Sequence, residues 1–425
     1  MRIIKIALLC ILILLCKHKT LAQSALEITD EQAEKQFLEK NLQILAERCN
    51  ISIADAAVVQ AKVLNNPTIS VGDINFWNPN ASTEVGVPAS FGNNFIFSVE
   101  LEKIIKTAGK RKRLVNLEKM SKEIALQEFE TFLLNLKTEL RIILHETVYL
   151  QSYLNIVNKQ LEIMDNLVQV YKNQTVLGNV AKRELIRIQA SLIELESEAN
   201  EIRTELNKLY KTIKILLNYA PEEKIWILPA SVVLKNPDEI SLPNLLDMAK
   251  NSRPEYLLSD LNVKYHEKLL LYEKTLRSPD IALSVNYDRY GGVWKNFVGL
   301  GISLDIPVFN KNQGNIKMAK HFLEQSNYYA EEQKNAIQQE VVEIYNDYKM
   351  NYLFYNKLME NDFSEDLDNM LDVHSRNFMN KNINMLEYID FMYAYKTTKQ
   401  AMLLAKKNLD IRFTELQFSI NNEIN

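Results

Sequence analysis

Residues 110–220 and 315–425 are two stretches of 111 residues each that contain no proline and, between them, one glycine, Gly178. Proline removes a backbone donor and clashes with the preceding turn, and glycine costs about 1 kcal/mol in a helix interior. The two stretches therefore predict long uninterrupted helices over half the chain. The other nine glycines and all ten prolines lie outside them, several beside short runs that alternate apolar and polar residues. Helix and strand are segregated, and the segregation occurs twice.

The formal net charge of −4 over 425 residues argues against a nucleic-acid partner, whose binding face would be basic. Residues 1–22 read as a secretory signal: Arg2 and Lys5, an apolar run from Ile6 to Leu15, then Thr20-Leu21-Ala22. The mature chain is expected to begin near Gln23. The apolar run is shorter than the roughly 20 residues that span a bilayer, which disfavours a membrane anchor. Cys10 and Cys16 leave with the signal, so only Cys49 remains and no internal disulfide forms. Cys16 is followed by Lys17-His18, a poor match to a lipoprotein cleavage site, and no lipid anchor is expected.

Two halves share one plan. Asn41-Leu42-Gln43-Ile44 corresponds to Arg253-Pro254-Glu255-Tyr256, and Asn66-Pro67 to Ser278-Pro279, at an offset of 212. Farther on, Glu184 corresponds to Glu387 and Leu217-Asn218 to Ile420-Asn421, at an offset of 203. Each half is expected to run as a modest helix (42 to 65 and 255 to 277), two strands, a very long helix, a break near Gly178 or Lys381, and a returning helix. The organisation predicted is a signal at 1–22, a first repeat at 23–218, an irregular proline-rich connector at 219–243 and a second repeat at 244–425.

In the first long helix Leu133, Leu140, Thr147, Leu154, Leu161 and Val168 step by seven. Leu136, Ile143, Leu150, Val157, Met164 and Tyr171 do the same between them. Such a seam predicts a left-handed coiled coil. From Gly109 to Gly178 the helix would extend roughly 100 Å. The seam of the second long helix drifts after Leu358.

Four short segments alternate with the period of a strand. The fourth sets Val298, Leu300, Ile302, Leu304 and Ile306 against Gly299, Gly301, Ser303 and Asp305. The third sets Ile281, Leu283, Val285 and Tyr287 against Ala282, Ser284, Asn286 and Asp288, and the second sets Phe95, Phe97, Val99 and Leu101 against Ile96, Ser98 and Glu100. The first, Pro67 to Trp77, alternates badly around Gly72-Asp73, which reads as a bulge. A soluble sheet with one wet face would show the same alternation. Phe76, Trp77, Phe95, Tyr287, Tyr290, Trp294 and Phe297 would gather at the end away from the helices, and this favours barrel wall with an aromatic girdle. The apolar faces of strands two to four carry no charge. Four strands are too few to close a barrel, so the chain must oligomerise.

With these pieces in order, the chain resembles the TolC-like outer-membrane efflux proteins from about residue 30 to residue 421. The likeness is carried by Asn66-Pro67, Gly109-Lys110-Arg111, Arg253-Pro254-Glu255, and Ile306-Pro307-Val308-Phe309 with Gly314. The resemblance implies a mainly α chain with a small membrane β part. Four strands per chain would make a twelve-stranded trimeric barrel, and long antiparallel coiled-coil helices a periplasmic tunnel. It implies a homotrimer in the outer membrane of a Gram-negative bacterium, meeting a periplasmic adaptor (membrane fusion protein) and an inner-membrane pump at helical tips marked by Leu177, Gly178, Lys381 and Asn382. An acidic pair just after the second tip, Glu387 and Asp390, would narrow the aperture and bind cations, with Glu184 the equivalent in the first half. Two departures stand out: Lys381 occupies a position usually held by glycine, and Arg187, three residues after Glu184, can pair with an acid and tighten the gate.

The five histidines are scattered without metal-ligand spacing, and no nucleophile motif or phosphate loop occurs, so no catalytic residue, metal site or cofactor is expected. Glu100, Asp288 and Asp305 face the expected lumen, where carboxylate rings favour cations. The run Lys103, Lys106, Lys110, Arg111, Lys112 and Arg113 reads either as a solvated flank or as a contact with lipid headgroups. The function expected is a passive exit duct of a tripartite efflux system, with heavy-metal cations or small toxic organics as cargo. A type I protein-secretion channel and a periplasmic coiled-coil scaffold are the alternatives.

Overall fold

The computed structural model describes residues 25–75, 96–230, 233–289, 294, 296–360, 363–380, 382–422 and 424. The signal segment 1–22, Phe76, Trp77, Phe95, Tyr290 and Lys381 lie outside the described residues.

Among the described residues the elements run β1 (Leu26–Ile28), α1 (Asp30–Lys40), α2 (Leu42–Lys62), β2 (Thr68–Asn75), β3 (Ile96–Ile105), α3 (Lys110–Val176), α4 (Lys182–Leu217) and β4 (Ile225–Ile227). After a 3₁₀ turn at Pro237–Glu239 come α5 (Leu242–Ser252), α6 (Pro254–Thr275), β5 (Ile281–Asp288), β6 (Phe297–Leu304), α7 (Gln313–Met359), α8 (Phe363–Met379) and α9 (Met385–Ile420). The chain divides into two compact units. One holds residues up to Leu45, Leu134–Leu242 and Val342–Asn425; the other holds Ala46–Leu133 and Pro243–Val341.

In the first unit the helix ends explain themselves. α1 opens on a capping box in which Thr29 Oγ1 accepts from Gln32 N and Gln32 Oε1 accepts from Thr29 N. α4 and α9 both end on asparagines in the left-handed region, Asn218 at φ +53° and Asn421 at φ +47°. Buried Asn41, between α1 and α2, accepts from Gln43 N and Ile44 N and donates to Leu216 O at 2.8 Å. Gln36 donates to Leu217 O, so the last carbonyls of α4 are satisfied from α1 and its junction.

The long helices differ from expectation in two respects. The face that α3 buries is broader than a two-position seam: Gln151 and Gln160, outside the seam, are buried with Thr147, whereas Leu150, Leu154 and Leu161 are only partly so. The reason is that α3 packs against both α4 and α9. Gln160 donates to Met392 O at 3.0 Å, and the Gln151 amide, turned so that every group is satisfied, accepts from Tyr210 Oη and Ile227 N and donates to Ile227 O. Irregular over most of its described residues, the connector is held at several points: β4 pairs in parallel with β1, Tyr348 Oη donates to Lys235 O, and Tyr345 Oη donates to Pro237 O. The second long helix is interrupted, ending at Met359 and resuming at Phe363. Freedom from proline and glycine permits a helix without enforcing one, and Asn361-Asp362 and Ser364 are weak helix formers.

In the second unit β2, β3, β5 and β6 form one antiparallel sheet in that order. The register shifts between Gly72 and Asn75, with Asp73 at φ +51°, so the awkward alternation there is a bulge. Arg253, between α5 and α6, is buried and pairs with Glu255 and Glu340. It anchors the start of α6 to α7.

Candidate functional site

The sheet has two chemically distinct faces. Across its registers Ser70, Glu100, Asn286 and Gly299 are aligned, as are Thr68, Glu102 and Ser284; Ser98 aligns with Asp288. Opposed residues share a face. One face is therefore polar and carries Glu100, Glu102 and Asp288. Asp305 lies past the end of β6, beside Ile104, Ala282 and Ser303 of that face, in a cavity that Lys110 and Asp280 also line. Glu102 lies one residue beyond Leu101, where the sequence pattern ends the strand; alternation carried that one residue farther includes it.

The other face carries Ile69, Val71, Leu101, Leu283, Val285, Val298, Leu300, Ile302 and Leu304, all exposed. Two details correct the sequence reading. Phe297 aligns with Asp288 and belongs to the polar face, whereas Tyr287 packs on Phe97 at 5.8 Å on the apolar one. That face also carries a charge, because β3 runs to Ile105 and Lys103 aligns with Leu283. Its ammonium donates to Asn65 O, reaching away from the apolar surface.

The helical turns belong to the first unit. Gly178, at φ +75°, follows α3, and a side chain there would meet open space. Leu177 is exposed, as are Val176, Met379 and Leu386. Asn382 N donates to Asn377 O in the second turn. Glu184 sits in the first turn of α4, near enough to Tyr171 that burial and then its carboxylate push that phenol's pKa up. Arg187 is exposed and makes no ion pair with a described residue. Glu387 is engaged: Asn384 Oδ1 accepts from Glu387 N at 3.0 Å and Glu387 Oε2 accepts from Asn384 N at 3.1 Å, a capping box opening α9. Asp390 is exposed one turn later.

An aromatic column joins these turns, and sequence reasoning missed it. Tyr171 stacks on Phe378 at 5.8 Å, and Phe378 on Tyr388 at 4.4 Å, bringing together α3, α8 and α9. Above it Lys396 pairs with Glu198 at 2.5 Å, and Tyr153 Oη donates to the same carboxylate. Burial and then Glu198 push the Tyr153 phenol pKa up. Tyr171 stands seven residues before Gly178 and Tyr388 seven after Lys381, a symmetry visible in the sequence. Among the described residues no His, Cys, Asp or Glu cluster could hold a metal, and no helix is long and apolar enough to cross a membrane.

No protein-family profile matches the chain. The cobalt-zinc-cadmium resistance protein CzcC of Cupriavidus metallidurans is 18% identical over 303 residues, which is 70% of this chain and 67% of that protein. The outer-membrane channel CmeC of Campylobacter jejuni superposes with a TM-score of 0.77 at 14% identity, covering 92% of this chain and 85% of CmeC. The fold is that of the TolC-like outer-membrane channels. A membrane protein from Pseudomonas aeruginosa shares it, with a TM-score of 0.74 at 13% identity over 92% of this chain and 90% of its own. In TolC-like terms, the four-stranded sheet is this chain's β part and the turns at Gly178 and Asn382 its hairpin ends.

Proposed function

We propose that this TolC-like chain is one subunit of a trimeric exit duct in the outer membrane, passively conducting substrate that an inner-membrane pump expels through a periplasmic adaptor. The observation that carries the reading is the sheet. Its outer edges, on β2 and β6, pair with no further strand among the described residues, and most of its apolar face is exposed. In water such a sheet is an aggregation hazard, whereas three copies closed edge to edge make twelve strands with lipid outside. The polar face then lines the lumen, where Glu100, Glu102 and Asp288 favour cations. The two halves are one duplicated plan, so three chains also supply six hairpins around the helical tunnel.

The gate is assigned to the turns, with Glu387, Asp390 and Glu184 narrowing the aperture and Leu177, Gly178, Lys381 and Asn382 meeting the adaptor. Metal cations are the proposed cargo, supported by the likeness to CzcC and by the acidic lumen. The test is direct: the protein should fractionate with outer membranes, run as a trimer in detergent and give cation-selective conductance in planar bilayers. A deletion strain should become sensitive to cobalt, zinc and cadmium with its secretome unchanged. Recovery as a detergent-free soluble monomer would overturn the reading.

A further inference from the structure

Between residues 103 and 113 there are six basic residues and no acidic one. The structure spends two of them internally. Lys110 is buried with its ammonium 2.7 Å from Asp280, and Lys103 donates to Asn65 O. Lys106, Arg111, Lys112 and Arg113 are exposed, and none forms an ion pair with a described residue. Basic side chains in the first turn of α3 also oppose the helix dipole, and no acid stands there to offset them. Arg111, Lys112 and Arg113 are thus a local concentration of unneutralised positive charge, while Lys106 is near enough to Asp280 to help hold that carboxyl's pKa down.

Its surroundings are apolar and uncovered. Leu101 and Ile105 flank Lys103 on the apolar sheet face, and Ile306, Val308 and Phe309 beyond β6 are exposed, Phe309 by 92%. Phe309 and Val308 line the same cavity as Lys110, which Arg111, Lys112 and Arg113 directly follow in the first turn of α3, so these apolar groups and the start of α3 belong to one strand-to-helix junction. Exposed aliphatic and aromatic side chains beside unpaired cations are the chemistry of the boundary between acyl chains and headgroups. A solvated flank would not need the apolar half, and an acidic protein partner would not account for its continuity with the sheet's apolar face.

We infer that Arg111, Lys112 and Arg113, with Lys106, form a basic collar that docks anionic phospholipid headgroups of the periplasmic leaflet where the sheet meets the helices. This rests on the barrel reading above. Each cation near an anionic surface is worth about 1 kcal/mol, roughly fivefold in partition.

Full-length trimer in neutral detergent would be mixed at low salt with phosphatidylglycerol or phosphatidylcholine micelles, and retained phosphorus per trimer measured after gel filtration. Wild type is expected to retain phosphatidylglycerol preferentially. The Arg111→Gln/Lys112→Gln/Arg113→Gln variant should lose at least about tenfold of that preference, while Arg111→Lys/Arg113→Lys keeps it. Bilayer conductance should be the same in all three. Equal retention of both lipids by wild type, or a preference the triple variant leaves intact, would overturn the collar while conductance upheld the channel. Absence of conductance from wild type in bilayers of either lipid would overturn the channel reading and the collar with it.

Discussion

Lys396 on α9 donates to Glu198 on α4 at 2.5 Å, a part-buried ion pair between two hairpins whose residues are separated by 198 positions in the chain. Tyr153 on α3 shares the carboxylate, and Lys396 also lies 5.9 Å from the Tyr393 ring. A charge held in a helix bundle is stable only with its partner in place, which makes this cluster a register mark between the hairpins.

Lys396→Met should destabilise the protein by about 2 kcal/mol, below the usual range for a broken buried pair because Glu198 keeps part of its access to water. Denaturant unfolding would measure it. Adding Glu198→Gln should restore part of the loss, and a single variant as stable as wild type would remove any structural role for the pair.

Gly178 adopts φ +75°, and nothing crowds a side chain there, so the cost of substitution is purely backbone. Gly178→Val should cost about 1 to 2 kcal/mol and Gly178→Asn distinctly less. Hydrogen exchange at the ends of α3 and α4 would report it as local opening.

Glu387 has two separable roles. Glu387→Gln keeps the capping box and removes the charge, whereas Glu387→Ala removes both and should cost about 1 kcal/mol at the start of α9. Exchange of the first-turn amides should accelerate only in the alanine variant. Block of bilayer conductance by divalent cations should weaken in both, and block unchanged in both would end the assignment of Glu387 to the gate.

His145 is buried against Thr414, and burial lowers its pKa from the ordinary 6.5, with Asp410 opposing and Lys406 and Arg141 assisting. The unfolded chain therefore takes a proton that the folded one resists. Stability from this group is complete above about pH 6.5 and declines as pH falls through the depressed folded value. Melting curves between pH 7.5 and about pH 5 should flatten in His145→Gln.

Glu100→Gln/Glu102→Gln should shift the reversal potential in a salt gradient towards the unselective value, since both carboxylates lie on the polar face of β3. Retention of full cation preference would move selectivity away from the sheet.

Much of this was legible beforehand because it depends on near neighbours in the chain. The turn at Gly178, the bulge at Gly72-Asp73 and the sidedness of β5 and β6 each follow from a glycine, a broken alternation or a period of two. Asp288 and Phe297 show the limit: both positions were noticed, yet only the register puts them on one face. The interruption after Met359 was foreshadowed by the seam that drifts after Leu358, but absence of breakers concealed it.

From the residues alone, the four strands of the sheet, the first long helix, the returning helices, their order and the two chemical faces of the sheet were determined, because helix and strand periods are written within a few positions. Tertiary structure alone decided that Gln151 and Gln160 are interior, that β1 meets β4, and that Tyr171, Phe378 and Tyr388 form one column. A polar residue is worth burying only when a partner arrives to satisfy it, and these partners come from elements far away in the chain.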